Sequence, residues 1–155
     1  MKTQDKELLI KDLCGRLPYG VKVQMNRVGE WDGETKRFVV SKELTFDDVK
    51  SFAENGVVLS IKPYLRPMSN MTKEEAKTLV TLWGIEDFIS LDITEEYIGV
   101  VCDDGFGSTV TTEIWYDGDM SIECYDFLNA HHFDYRGLIP MGLALPAPDG
   151  MYNFK

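Results

Sequence analysis

The side chains that could do chemistry are few, and most of them lie in the second half of the chain. Asp103-Asp104 and Asp117-Gly118-Asp119 are short acidic turns of the kind that hold a hard cation or act as paired carboxylates in a hydrolase. His131 and His132 are the only histidines, and Cys14, Cys102 and Cys124 the only thiols. A zinc or iron site needs three or four converging ligands, whereas Cys124 and His131 stand about 10 Å apart along a helix axis, too far to share one ion. Adjacent histidines on a helix point about 100° apart, so a hydrogen-bonded packing role outweighs metal or acid-base work. Cys14 and Cys102 fall on expected buried faces without a basic neighbour, which argues against a catalytic thiolate. Gly105-Phe106-Gly107 follows a strand as phosphate loops do, but leads into another strand and not into a helix N-terminus, so its expected service is a hairpin turn. The short acidic clusters do not fit the twelve-residue EF-hand pattern and read first as turns. No Gly-x-Ser-x-Gly elbow occurs. The residues point to no catalytic centre, no metal and no cofactor.

Charge is what departs from the ordinary. The chain has 155 residues and a formal net charge of −10, distributed unevenly. Residues 1–70 carry 12 Lys+Arg against 10 Asp+Glu, and residues 71–155 carry 4 against 16. From Thr78 to Tyr135 there is no Lys or Arg at all, against 13 acids. Such a field repels nucleic acid and anionic membrane and favours a cationic partner.

The elements that must carry these groups read as α+β. A length of 155 residues with 44% hydrophobic side chains predicts a single domain, 1–155, that buries its own core. A helix opens the chain, capped by Thr3 or Asp5, with Leu9, Ile10, Leu13, Cys14 and Leu17 on one stripe, and Pro18-Tyr19-Gly20 ends it. Val21, Val23 and Met25 alternate with polar residues as in a half-buried strand, and Trp31-Asp32-Gly33 turns it into a second strand near Arg37 to Ser41. Thr45-Phe46-Asp47-Asp48 starts a helix with Phe46, Val49, Phe52 and Ala53 at helical spacing, and a strand from Val57 to Lys62 is expected to stop at Pro63. Thr72-x-x-Glu75 is a capping box for a helix that buries Ala76, Leu79, Val80 and Trp83 and closes at Gly84.

Tyr97 to Cys102 and Thr109 to Tyr116 form a hairpin, and a last helix runs from Ser121 to about His132. The segment 134–155 is expected as an extended tail packed on the body. Helices between hairpin-connected strands argue for an antiparallel sheet of about five strands carrying three to four helices. The odd cysteine count, the absence of C-x-x-C spacing and the absence of a charged-then-apolar leader place the chain in the cytoplasm. No apolar run approaches a membrane span.

Three strings carry a resemblance: LCGRLPYGVKV at 13–23, KPYLRPMSNMTKEE at 62–75 and LNAHHFDYRGLIPMGLALPAPDGMY at 128–152. They resemble a family of short proteins of unknown function from gut Bacteroidetes and their phages or mobile elements. The resemblance covers roughly a third of the chain in three islands and carries no site residues over to it.

Two functions follow as expectations. The first is a non-catalytic interaction module docking a basic host or phage protein through Asp103, Asp104, Asp117, Asp119, Glu123 and Asp126, placed near one end of the sheet. It would bind neither nucleic acid nor membrane directly. The second is a small metal-assisted hydrolase using His131 with the acidic turns Asp103, Asp104, Asp117 and Asp119. A solvated acidic surface serving solubility is the plain alternative to both.

Overall fold

The computed structural model describes residues 1–116 and 118–152. The α+β class holds, but the strands lie in two sheets, of four and three strands, and not in one sheet of about five. Each sheet belongs to a compact unit with its own core, one made of Met1–Leu65 with the C-terminal segment from Leu138, the other of Arg66–Gly137.

In the first unit, helix α1 (Thr3–Arg16) buries Leu9, Asp12, Leu13 and Arg16. This face is rotated from the expected apolar stripe, and Cys14 is exposed. The reason is chemical: Arg16 Nε and Nη2 donate to the two Asp12 carboxylate oxygens at 2.7 and 3.0 Å, one helical turn apart, and both side chains are fully buried. A bidentate pair neutralises itself, so two charges can occupy a face that periodicity assigns to apolar groups. A short turn at Leu17–Tyr19 and Gly20, at φ +67°, close the helix.

Strands β1 (Lys22–Trp31) and β2 (Glu34–Glu43) form an antiparallel hairpin in unbroken register. Asp32 and Gly33 both take positive φ, 53° and 75°, as a two-residue hairpin turn requires. Helix α2 (Phe46–Ala53) buries Asp48, Val49 and Phe52, while Phe46, expected on the buried face, is 67% exposed. Phe46 is the first helical residue, and the face below it is taken by Asp48. The Asp48 carboxylate accepts from the Thr45 hydroxyl and amide at 2.6 and 3.1 Å and lies 2.8 Å from Lys42 Nζ.

Strand β3 (Val58–Leu65) continues through Pro63, where the sequence predicts a stop. β3 pairs with β1 on one side, and on the other its partner β7 (Leu145–Pro146) begins pairing only at Tyr64. At Pro63 that second side has no ladder to interrupt. β7 runs parallel to β3, giving the order β2-β1-β3-β7. The segment around it buries Leu138, Leu143 and Ala144 in the same core as Val23, Met25 and Ile61. Tyr152 latches its end: its hydroxyl accepts from the Lys22 amide at 3.0 Å and donates to the Tyr64 carbonyl at 2.8 Å. Burial pushes that hydroxyl's pKa up to about 12. The expected tail from 134 thus divides, with residues 134–137 belonging to the second unit.

In the second unit, helix α3 (Lys73–Trp83) has the capping box expected at Thr72 and Glu75 and ends at Gly84, φ +101°. Glu75 also receives Arg66, whose guanidinium donates to both carboxylate oxygens at 2.7 and 2.9 Å and lies over the Phe133 ring at 4.2 Å. Strands β4 (Ser90–Ile93), β5 (Tyr97–Asp103) and β6 (Thr109–Trp115) form the antiparallel sheet β4-β5-β6. Helix α4 (Ile122–Ala130) is shorter than the sequence predicts. His132 takes φ +56°, the Phe133 amide returns to the Leu128 carbonyl at 3.0 Å, and the His132 amide to Asn129 at 3.1 Å. This pair of bonds is the Schellman stop, with His132 where glycine is usual.

Two carboxylates of these frames set an expected acid response. Burial raises Asp48, but Lys42 and Thr45 outweigh it and hold the group below its usual 3.8. Burial likewise raises Glu75, while Arg66 and Thr72 bring it below 4.5. A depressed folded-state pKa contributes stability that is complete above the unfolded value and is lost as pH falls through the folded one. Denaturant midpoints measured down a pH series should therefore hold steady above about pH 5 and drop below about pH 4. In Glu75→Gln the drop should be shallower; an equal drop would remove Glu75 from this role.

Candidate acidic docking site

The acids of the second unit are positioned by the two turns of its sheet. The loop between β5 and β6 carries Asp103 and Asp104, and its glycines Gly105 and Gly107 take φ +77° and +88°. The Asp103 carboxylate accepts from the Gly105 amide at 2.8 Å, and that of Asp104 from Phe106 and Ser108 at 2.8 and 2.9 Å. The amides that would cradle a phosphate are thus engaged by carboxylates, and the loop is the hairpin turn expected of it. Phe106, at its tip, is 95% exposed.

Next to this loop the chain between α3 and β4 returns to the sheet, with the Ile89 amide bonded to the Val101 carbonyl at 2.6 Å. Glu86, Asp87, Phe88 and Ile89 line a cleft of about 360 Å³ with Asp103 and Lys77. Ile89 is 60% exposed. The result is an acidic rim around accessible apolar groups.

The other expected acids are not at this end. β6 runs away from the hairpin loop for seven residues, about 20 Å at 3.3 Å each, before the chain reaches Asp119, Glu123 and Asp126. The expectation that all of them share one end of the sheet is therefore corrected: antiparallel pairing puts the β5–β6 loop, with Asp103 and Asp104, at one end of the sheet and the residues that follow β6 at the other. Asp119, Glu123 and Asp126 are exposed. Glu123 has a local role, since its own amide and the Ser121 hydroxyl at the start of α4 hold its carboxyl below the usual value. Asp117 lies outside the described residues. Near the far end, Glu95, Glu96, Asp134, Tyr135, Arg136, Trp115, Tyr116 and Gly137 line a second cleft of about 410 Å³. Arg136, the only cation between Lys77 and Lys155, lies over the Tyr135 ring at 4.7 Å. Burial and the charge of Glu95 raise the Tyr116 hydroxyl well above its usual range.

The described residues of the hydrolase alternative form no shared metal site. His131 Nδ1 lies 2.9 Å from the Phe127 carbonyl of its own helix, and its ring packs on Phe127 at 4.1 Å. Among the described residues no three His, Cys, Asp or Glu side chains are placed to hold a common metal ion. Cys124 is buried, with its sulfur 3.4 Å from Ser121 Oγ, and Cys102 is half-buried. Of the tryptophans, Trp31 and Trp115 are 62% and 43% exposed, Trp115 packing on Tyr97 at 5.1 Å, and Trp83 is half-buried.

Sequence reasoning missed Glu86, Asp87, Glu95 and Glu96 as members of clefts. The available signal was their place at strand starts, Glu86-Asp87 before β4 and Glu95-Glu96 before β5. No helix among the described residues is long and apolar enough to cross a membrane. No protein-family model, curated protein or solved structure matches the chain.

Proposed function

We propose that the chain is a non-catalytic interaction module, cytoplasmic and of phage or mobile-element type, that docks a basic protein surface. The observation that carries this reading is the run from Thr78 to Tyr135, with 13 acids and no Lys or Arg. A few carboxylates suffice for catalysis, and one or two complement a helix N-terminus; the surplus supplies a field that steers a cationic partner. Within that run the hairpin end is the favoured contact. Exposed apolar groups, Phe106 and Ile89, stand there among Asp103, Glu86 and Asp87. An apolar centre with a charged rim is the usual composition of a protein interface. Nucleic acid and anionic membrane are disfavoured partners for the same electrostatic reason, and imitation of nucleic acid is one way to attract a basic protein. Three free cysteines support the cytoplasmic assignment.

The test is capture from a lysate of the native host on the immobilised chain. One basic protein should be retained at low salt and released as the Debye length shrinks below about 8 Å. Recovery of the same background set at every salt concentration would reduce the acidic run to a solubility feature.

A further inference from the structure

The first unit offers an interaction surface of a different kind, the outer edge of its four-stranded sheet. β2 is ten residues long and, among the described residues, pairs only with β1. Glu34 to Val39 are all exposed, with Phe38 at 38% and Val39 at 66%. The edge has no proline, and its register with β1 contains no bulge. Its charged side chains, Glu34, Lys36, Arg37, Lys42 and Glu43, are of both signs, so the pairing of its free N–H and C=O groups with another strand is governed by which charges a register opposes.

Turn chemistry fixes which groups are free. A two-residue turn at Asp32-Gly33 makes Trp31 and Glu34 a hydrogen-bonded pair, so alternate residues from Glu34 exchange bonds with β1. The backbone groups of Thr35, Arg37, Val39 and Ser41 therefore point outward.

We propose that β2 pairs antiparallel with β2 of a second copy, about a two-fold axis at Phe38, so that two four-stranded sheets become one continuous sheet. Outward groups must meet outward groups, which restricts the axis to registers centred on a residue. Centring on Phe38 makes Thr35 opposite Ser41 and Arg37 opposite Val39 the bonded pairs. The non-bonded positions, where side chains approach closest, then hold Phe38 against its own mate, Lys36 against Val40 and Glu34 against Lys42 of the second copy. An aromatic pair at the centre and an opposite-charge pair at each end is a favourable cross-strand set. Centring on Val39 would oppose Lys36 to Lys42 at both ends, and centring on Arg37 would oppose Phe38 to Lys36. Of these three registers, charge complementarity favours the one centred on Phe38. Lys42 already holds Asp48 at 2.8 Å and keeps two further N–H donors for Glu34.

An edge-to-edge contact is small, so association should be weak and concentration-dependent. Sedimentation velocity on the full chain between about 5 and 500 µM should show the mass rising towards twice that of one copy. Val39→Pro, which removes an outward N–H without touching the β1 ladder, should stay monomeric while its circular dichroism matches the native chain. Independently, Phe38→Cys in a Cys14→Ser background should oxidise to a covalent dimer, because opposed Cα atoms at about 4.5 Å fall within disulfide reach. Val40→Cys in the same background should not. A single-copy mass throughout the range, a dimer that persists in Val39→Pro, or cross-linking through Val40 and not Phe38 would overturn the proposal.

Discussion

Removal of residues 138–155 is expected to abolish the cooperative unfolding transition of the intact chain. The segment supplies Leu138, Leu143 and Ala144 to the first unit's core and β7 to its sheet. Loss of a buried leucine alone costs about 2–5 kcal/mol, and two leave together here with a strand. The total approaches the whole stability of a domain, about 5–15 kcal/mol. The Tyr152 bonds to Lys22 and Tyr64 and the Ala147 bond to Leu65, 2.8 Å, disappear as well. Thermal melts followed by far- and near-UV circular dichroism decide the matter. A sharp transition within a few degrees of the intact chain would show that the segment is dispensable.

The second large effect is expected at the buried ion pair of α1. Asp12→Leu should destabilise the chain by about 3–5 kcal/mol, because the Arg16 guanidinium is left in a fully buried place without its bidentate carboxylate. Arg16→Met should cost a similar amount by taking the bidentate donor from the buried Asp12 carboxylate. The double change Asp12→Leu with Arg16→Met should cost less than either single change, since apolar groups of similar volume need no neutralisation. Urea midpoints for the four proteins test this as a cycle. Strictly additive losses would mean that the two side chains are held by separate interactions and not by each other.

These two sites mark where the sequence was and was not legible. Signals completed within a few residues were readable. The Thr45 and Thr72 caps, the Asp32-Gly33 turn and the Asp103 to Ser108 loop each depend on neighbours along the chain, and each is present where the residues place it. Features decided by distant partners were not. The i, i+4 spacing of Asp12 and Arg16 is local, but the closing of a core over the pair depends on elements far along the chain. His132 hides the end of α4, since the left-handed stop is normally announced by Gly or Asn. Alternation marks Val23 and Val100 as buried but does not say that their strands belong to different sheets. The acidic site was half legible. Its charges are visible in the sequence, whereas their division between two ends of a sheet emerges only once β5 and β6 are paired.

That division supplies the most direct test of the docking account. Two reversed variants of equal charge change are compared with the native chain in capture from a lysate of the native host. One carries Glu86→Lys, Asp87→Lys and Asp103→Lys at the hairpin end; the other carries Glu96→Lys, Asp119→Lys and Asp126→Lys at the far end. Exposed charges contribute little to stability, commonly under about 1 kcal/mol each, so both variants should melt close to the native temperature. The native chain and the far-end variant should retain one and the same basic protein, with salt-dependent release, and the hairpin-end variant should lose it. Equal retention by all three, or loss only on reversing the far end, would contradict docking at the hairpin cleft.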